Sequence, residues 1–330
     1  MSDLFVNSSK FRPEAVGKEA REMINAIKSM PLDQPWWEIG MPEYRRRTAA
    51  GELNYKPRLL NDRAQHLRLP SRDPSRPIRC RLFTPASYGP VKGVMLHIHG
   101  GGYTVFGSDF QDSLLAHIAD ISCLAVVSVE YRLAPEHPFP QGPEDCYDVA
   151  EWLAANAKLH YDAELSFIAG SSTGAHFSAL TALHLRKARP DFHLRGLVLL
   201  YGMYNLTYSA PSIVNAPDDA IICTPDALKY TTEAFIPGLT LEARHDPAIS
   251  PFYADLQALS PLPPALFICG TEDILIDESV FFGSKWMMVN SESVVKIFPG
   301  ALHGFIDFEG MPFMRGGWDA VTDFLVTHTA

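Results

Sequence analysis

The sequence predicts an α/β protein, a mostly parallel sheet with helices on both faces. Short runs rich in Val, Ile, Leu and Phe recur along the chain, several of them closing on glycine, and stretches with helical spacing separate them. Continuous apolar runs mark strands buried on both faces, and their alternation with helices marks crossovers between parallel neighbours. The 330 residues suit one large domain, or one domain with a modest accessory part, and can bury a substantial core.

In chain order, "IRCRLFTPAS" from Ile78 reads as an early strand with alternating sides. "VKGVMLHIHG", "CLAVVSVEY", "LSFIAG", "LRGLVLLYG", "PALFICG" and "VVKIFPG" follow as strands. "DSLLAHIADIS", "PEDCYDVAEWLAANA" and "AHFSALTALHLRKA" are helical stretches between them. Two regions break the alternation. In residues 1–50, Val16, Ala20, Met23 and Ile27 share one helical face and precede the aromatic, proline-rich "PLDQPWWEIGMPEY". Residues 204–250 are rich in Tyr, Pro and Ala and contain no clear strand. Both are expected to fold over one end of the sheet, as two parts of a helical cap on a catalytic domain spanning residues 51–330.

Composition excludes several classes. A net charge of −10 leaves no basic surface for a nucleic-acid backbone. No apolar run is long enough to span a bilayer. The first residues lack the basic start and apolar stretch of a secretory signal, so a cytoplasmic location is expected. Five cysteines without paired spacing, Cys80, Cys123, Cys146, Cys223 and Cys269, read as reduced core residues. Asn7 and Asn205 stand in N-x-S/T sequons, which carry no meaning without a secretory route.

Gly170-Ser171-Ser172-Thr173-Gly174 fits G-x-S-x-G, with a strand before it and a helix after it. In a nucleophile elbow the middle residue, here Ser172, sits on a sharp turn that needs small neighbours. "HIHGGGYTVFGS" places Gly100, Gly101 and Gly102 directly after a strand. Glycines let a backbone approach a substrate closely, and preorganised N–H groups stabilise an oxyanion. The N–H groups of Gly101, Gly102 and Thr173 are the candidate donors. A phosphate-cradling loop is the competing reading, but the glycines fit neither G-x-G-x-x-G nor a P-loop.

A serine hydroxyl needs a base, itself oriented by an acid. Of twelve histidines, His99 opens the glycine loop, His176 lies one turn into the helix after the elbow, and His303 follows the last strand in "FPGALHGF". The loop position of His303 suits a base that must reach Ser172. "ICGTEDILIDES" offers Glu272, Asp273 and Asp277 as acids.

"HGGGYTVFGS", "VEYRLAPEHPFPQGPEDC", "GSSTG", "SPFYADLQALSPLPPALFICGTEDILIDE" and "FPGALHGF" occur in the order of the hormone-sensitive-lipase-like esterases, a branch of the α/β-hydrolases. The chain resembles that branch over roughly residues 75–325. The resemblance implies an α/β-hydrolase fold with an eight-stranded sheet and a cap, no metal or organic cofactor, and a small-molecule ester as substrate. It implies Ser172 as nucleophile, His303 as base and Asp273 as acid, because the family's acid opens a D-x-L-x-D pattern matched by "DILID". Gly101, Gly102 and Thr173 carry over as oxyanion donors. Where the family reads G-D-S-A-G, this chain has Ser171 and Thr173, a change that bears on substrate range more than on mechanism. "STGAHF" also resembles arylformamidase-type hydrolases, some relatives act as transacylases, and some plant hormone receptors share the fold without its catalytic histidine. Trp36, Trp37, Tyr103, Phe106, Tyr204 and Phe305 are the expected pocket-lining residues, chosen as aromatics close to the motifs. Helices at the sheet edge could pair in a homodimer.

Overall fold

The computed structural model describes residues 5–54, 59–86, 89–290, 292–307 and 310–329. Three N-terminal helices come first: α1 (Lys18–Lys28), α2 (Trp36–Ile39) and α3 (Met41–Ala50). Strands β1 (Gln65–Leu69), β2 (Ile78–Phe83) and β3 (Gly93–Ile98) lead to α4 (Asp112–Ser122) and β4 (Leu124–Val129). The alternation continues through α5 (Gln141–Tyr161), β5 (Leu165–Ser171), α6 (Thr173–Ala188) and β6 (Gly196–Leu200). After α7 (Pro211–Val214) and α8 (Pro225–Phe235) the chain returns to the sheet as β7 (Ala265–Gly270), α9 (Ile276–Met287), β8 (Val294–Phe298) and α10 (Met314–Thr329).

The eight strands form one sheet in the order β1-β2-β4-β3-β5-β6-β7-β8. β1 and β2 pair antiparallel, as do β2 and β4, and every later pair is parallel. Strands β3 to β7 are buried along their whole length, as their unbroken apolar runs require. The outer strands β1 and β8 keep exposed positions. One apolar layer joins one sheet face to residues of α5, α6 and α9, with Leu153, Phe177, Leu180, Phe282 and Trp286 at its centre. The other layer carries Leu115, Ile118, Val321 and Phe324 from α4 and α10.

The strand order reverses beside β3. β4 lies on one side of it and β5 on the other, with Ile98 opposite both Val129 and Gly170. At such a switch point two loops leave the carboxyl ends of neighbouring strands in opposite directions, and a crevice opens between them. Here those loops are the glycine run after β3 and the turn after β5.

The two irregular regions meet each other. Val16, Ala20 and Ile24 pack with Leu302 and Met311, against Ile221 and Ile222 of the insertion. Lys28 forms ion pairs with Asp219 at 2.7 Å and Glu272 at 3.7 Å. Trp37 stacks on Tyr230 of α8 with ring centroids 4.4 Å apart. Arg45 of α3 donates to the Thr104 carbonyl at 2.8 Å and the Ala134 carbonyl at 2.8 Å, so the N-terminal region also grips the glycine loop.

The insertion is anchored at its start by Glu278 of α9, whose Oε2 accepts from the N–H groups of Tyr204 and Asn205, each at 2.8 Å. Burial pushes this carboxyl up from the ordinary 4.5 to about 7, against the pull of the two N–H donors. A folded-state acid raised in this way contributes stability that is fully present below pH 4.5 and lost as pH rises through about 7. Glu278→Gln keeps an acceptor for both N–H groups and removes the titration. Its melting temperature relative to the parent should therefore rise between pH 5 and pH 8, as read by thermal denaturation. An unchanged difference across that interval would contradict the assignment.

Candidate active site

Ser172 follows β5 and caps α6, with φ 53° and ψ −121°. A serine with positive φ holds backbone strain that the surroundings must impose. They do so on both sides. The Ser172 N–H donates to the Leu200 carbonyl at 2.8 Å, tying the turn to β6. Gly174 lies so close to β3 that a Cβ there would meet the Ile98 carbonyl oxygen at 2.0 Å. The G-x-S-x-G spacing thus serves contact between the start of α6 and the end of β3. The turn also sets Ser172 at the positive end of a sixteen-residue helix, where negative charge is favoured.

His303 Nε2 stands 2.9 Å from Ser172 Oγ, and His303 Nδ1 stands 2.8 Å from Asp273 Oδ2. Asp273 follows β7, and His303 lies on the loop after β8, so three strand ends converge on one chain of hydrogen bonds. The Leu275 N–H donates to Asp273 Oδ1 at 2.9 Å, and the Cys269 thiol lies 3.5 Å from Oδ2. The carboxylate is thereby held from three directions. The other sequence candidates do different work. Asp277 accepts from the Ser212 N–H at 2.8 Å, and Glu272 pairs with Lys28. His176 is enclosed between the Tyr103 hydroxyl at 3.1 Å and the Ile249 carbonyl at 2.8 Å, and burial pulls its pKa down to about 4. His99 stacks on Tyr131 with centroids 4.2 Å apart.

The glycine loop faces the serine across the β3–β5 boundary. Gly101 has φ 116°, and a Cβ there would sit 2.2 Å from the Val105 carbonyl oxygen. Tyr103 N lies 3.5 Å from Thr173 Oγ1, which links the loop to the residue after the nucleophile candidate. The "YRLAPE" stretch holds the loop from behind. Tyr131 Oη donates to the His99 carbonyl at 2.9 Å, and the Ala134 N–H donates to the Tyr103 carbonyl at 3.0 Å. Arg132 is fixed in turn by Asp145, with its side chain donating at 3.0 Å to each carboxylate oxygen.

Three of the six expected lining aromatics are core instead. Tyr103 is 1% exposed and stacks on Phe235, Tyr204 is 0% exposed between Phe267 and Phe282, and Phe305 is 0% exposed against Tyr201 and Phe298. None presents a surface to a ligand, because each ring fills a gap between the sheet and the elements covering it. Trp36, Trp37 and Phe106 keep partial exposure. Phe106 stacks on Phe110 at 3.8 Å, and Trp36 stands edge-on to Trp37 at 5.9 Å. Thr231 of α8 roofs the glycine loop, since a Cβ on Gly102 would meet its Cγ2 at 2.9 Å. Trp37 stacks on Tyr230, the neighbour of Thr231 in α8.

Some neighbours of His303 had no sequence signal. The Tyr201 ring stands edge-on to the imidazole at 5.0 Å, and its hydroxyl donates to Asp307 Oδ2 at 3.0 Å. Gln111 donates to the other oxygen of Asp307, a carboxyl that burial pushes up to about 6. Cys223, from the insertion, reaches the His303–Asp273 pair.

The model of a family described as the alpha/beta hydrolase fold matches residues 95–307, and the chain belongs to that family. It is 30% identical to an esterase of Acinetobacter venetianus over 218 residues, covering 64% of this chain and 67% of the relative. It is 29% identical to a carboxylesterase of Mycobacterium tuberculosis over 267 residues, covering 79% and 82%. The structure of an esterase from the archaeon Pyrobaculum calidifontis superimposes with a TM-score of 0.79 at 27% identity, over 95% of this chain and 98% of that one. No helix among the described residues is long and apolar enough to cross a membrane.

Gly101→Ala should misplace the loop N–H groups, because its methyl cannot share space with the Val105 carbonyl. Loss of one aligned donor costs on the order of 10²–10³ in turnover, and ester hydrolysis should fall by that order while the far-ultraviolet circular dichroism is retained. A fully active Gly101→Ala would remove the loop from the active site.

Proposed function

We propose that the protein is a serine carboxylic-ester hydrolase that works through an acyl-enzyme on Ser172. The observation that carries this reading is the hydrogen-bonded chain Ser172–His303–Asp273, at 2.9 and 2.8 Å, beside a glycine loop. Its likeness to proteins named esterase and carboxylesterase supports the same chemistry.

The steps follow from the geometry. Asp273 accepts from Nδ1–H of His303, which turns the lone pair of Nε2 toward the Ser172 hydroxyl. Nε2 takes the hydroxyl proton as Oγ attacks the ester carbonyl. The carbonyl oxygen becomes an oxyanion, which the N–H groups of Gly101, Gly102 and Thr173 stabilise at the positive end of α6. The imidazolium then hands its proton to the departing alkoxide, and the alcohol leaves. Water, deprotonated by the same nitrogen, attacks the acyl-enzyme and releases the acid. Every charge that appears has a partner already in place.

Residues 1–50 and 204–250 act as a cap over the crevice in this reading. Trp36, Trp37 and Phe106 then border the acyl or alcohol pocket, and the close roof formed by Thr231 favours esters with small to medium groups. The Trp37–Tyr230 stack supports this placement.

Hydrolysis of a short-chain p-nitrophenyl ester tests the assignments. Loss of the nucleophile costs about 10⁶ in turnover in a comparable triad, and Ser172→Ala should lose several orders of magnitude. Ser171→Ala should keep most of the rate. Asp273→Asn should fall by about 10⁴, whereas Asp277→Asn should stay near the parent, since Asp277 accepts from the Ser212 N–H while Asp273 holds His303. Near-normal rates for Ser172→Ala, or a reversed order of the two aspartates, would refute the reading.

A further inference from the structure

Cys223 lies in the insertion, immediately before the N-terminus of α8, and its thiol points at the acid–base pair of the active site. One ligand atom from each of Cys223, Asp273 and His303 lies within 4.8 Å of the other two. A tetrahedral zinc ion bonds sulfur, nitrogen and oxygen at about 2.0–2.3 Å, which holds its ligand atoms roughly 3.3–3.7 Å apart. To grip one ion, the Nδ1–Oδ2 pair at 2.8 Å opens by about half an ångström and the Cys223 sulfur closes on it by about 1 Å. We propose that Cys223, Asp273 and His303 form an inhibitory site for a thiophilic divalent cation, with zinc as the natural fit. The inference rests on the reading of His303 as the general base.

The chemistry of the donor set favours such an ion. A thiolate and a carboxylate together cancel two positive charges, so the loaded site is neutral, as a buried position requires. The nitrogen that faces the carboxylate is Nδ1, while Nε2 is engaged by Ser172 Oγ, so an ion shared with Asp273 binds at Nδ1. Thiolate and imidazole are the ligands that select zinc over magnesium or calcium. Cys223 is 7% and His303 8% exposed, while the Asp273 side chain is fully buried behind them, so an ion would enter past the thiol and the imidazole.

Binding balances simply. The Cys223 thiol releases one proton to solvent and its sulfur bonds the metal. The imidazole proton moves, through solvent, from Nδ1 to Nε2, and the freed Nδ1 lone pair bonds the metal. The carboxylate already carries its charge. Nε2 then donates to Ser172 Oγ and has no lone pair to accept the hydroxyl proton, so acylation stops. Removing the metal reverses every step, which makes the device a reversible brake.

Two readouts on the full chain test this. Ester hydrolysis is followed in a non-chelating buffer with increasing Zn²⁺ and again after EDTA, for the parent and for Cys223→Ala and Cys223→Ser, each relative to its own metal-free rate. Even residues behind metal ligands are worth ~10–100-fold in affinity, so Cys223→Ala should need more than about tenfold higher Zn²⁺ for half-inhibition, with EDTA restoring the parent. In parallel, Co²⁺ added to each protein should give a near-ultraviolet thiolate-to-cobalt charge-transfer band in the parent, absent from Cys223→Ala. This second readout needs no catalysis. Zn²⁺ inhibition of equal sensitivity in parent and Cys223→Ala, or a cobalt band that is missing from the parent or survives in the variant, would overturn the site. A cobalt band lost with Cys223 but no zinc inhibition would instead keep the site and overturn the role of His303 as base.

Discussion

The parallel pairing of β3 with β5 is the constraint on which the rest of the site depends. Its register sets Ile98 beside Gly170, so the glycine loop and the Ser172 turn leave the sheet as neighbours. Because β4 lies on the far side of β3, the connections from the two strand ends diverge and leave a crevice. The contact is close enough that no side chain fits at Gly174, where the first turn of α6 runs against the end of β3. A shift of one residue in this pairing would carry the glycine N–H groups away from Ser172 and put core side chains on the wrong face.

Around that boundary buried and half-buried polar groups hold the backbone. Tyr131 grips the carbonyl of His99, Arg132 is locked by Asp145, and Arg45 reaches from α3 to the carbonyls of Thr104 and Ala134. Each bond fixes a main-chain segment whose N–H groups, in the proposed reaction, would otherwise have to be ordered as charge develops on a substrate. Preorganised donors of this kind cost no reorganisation at the moment of reaction. The strained φ of Ser172 belongs to the same economy, since β6 and β3 impose it from either side.

What could be read in advance divides along the range of the interactions. Strands, crossovers and the strand–turn–helix around Ser172 were legible because apolar period and small residues act locally. The resemblance pointed to Asp273 and His303, which the structure brings to hydrogen-bonding distance of each other. The failures are long-range. Tyr103, Tyr204 and Phe305 sit near motifs in the chain, yet their rings fill the core, where aromatic area gives the largest gain from burial. Nothing local marks Cys223 as facing Asp273, fifty residues away, or Tyr201 as sandwiched between His303 and Asp307. The "YRLAPE" stretch was legible as a family signature, but its work of bracing the glycine loop needed the three-dimensional contacts.

The most direct test of this account is a crystal structure of the protein after reaction with a small organophosphonate ester, whose tetrahedral phosphorus imitates the acylation intermediate. Phosphorus is expected bonded to Ser172 Oγ, with the phosphoryl oxygen accepting from the N–H groups of Gly101, Gly102 and Thr173. An adduct on Ser171 or another residue would contradict it. So would a phosphoryl oxygen turned away from the glycine loop, because the β3–β5 register would then not be what positions the reaction.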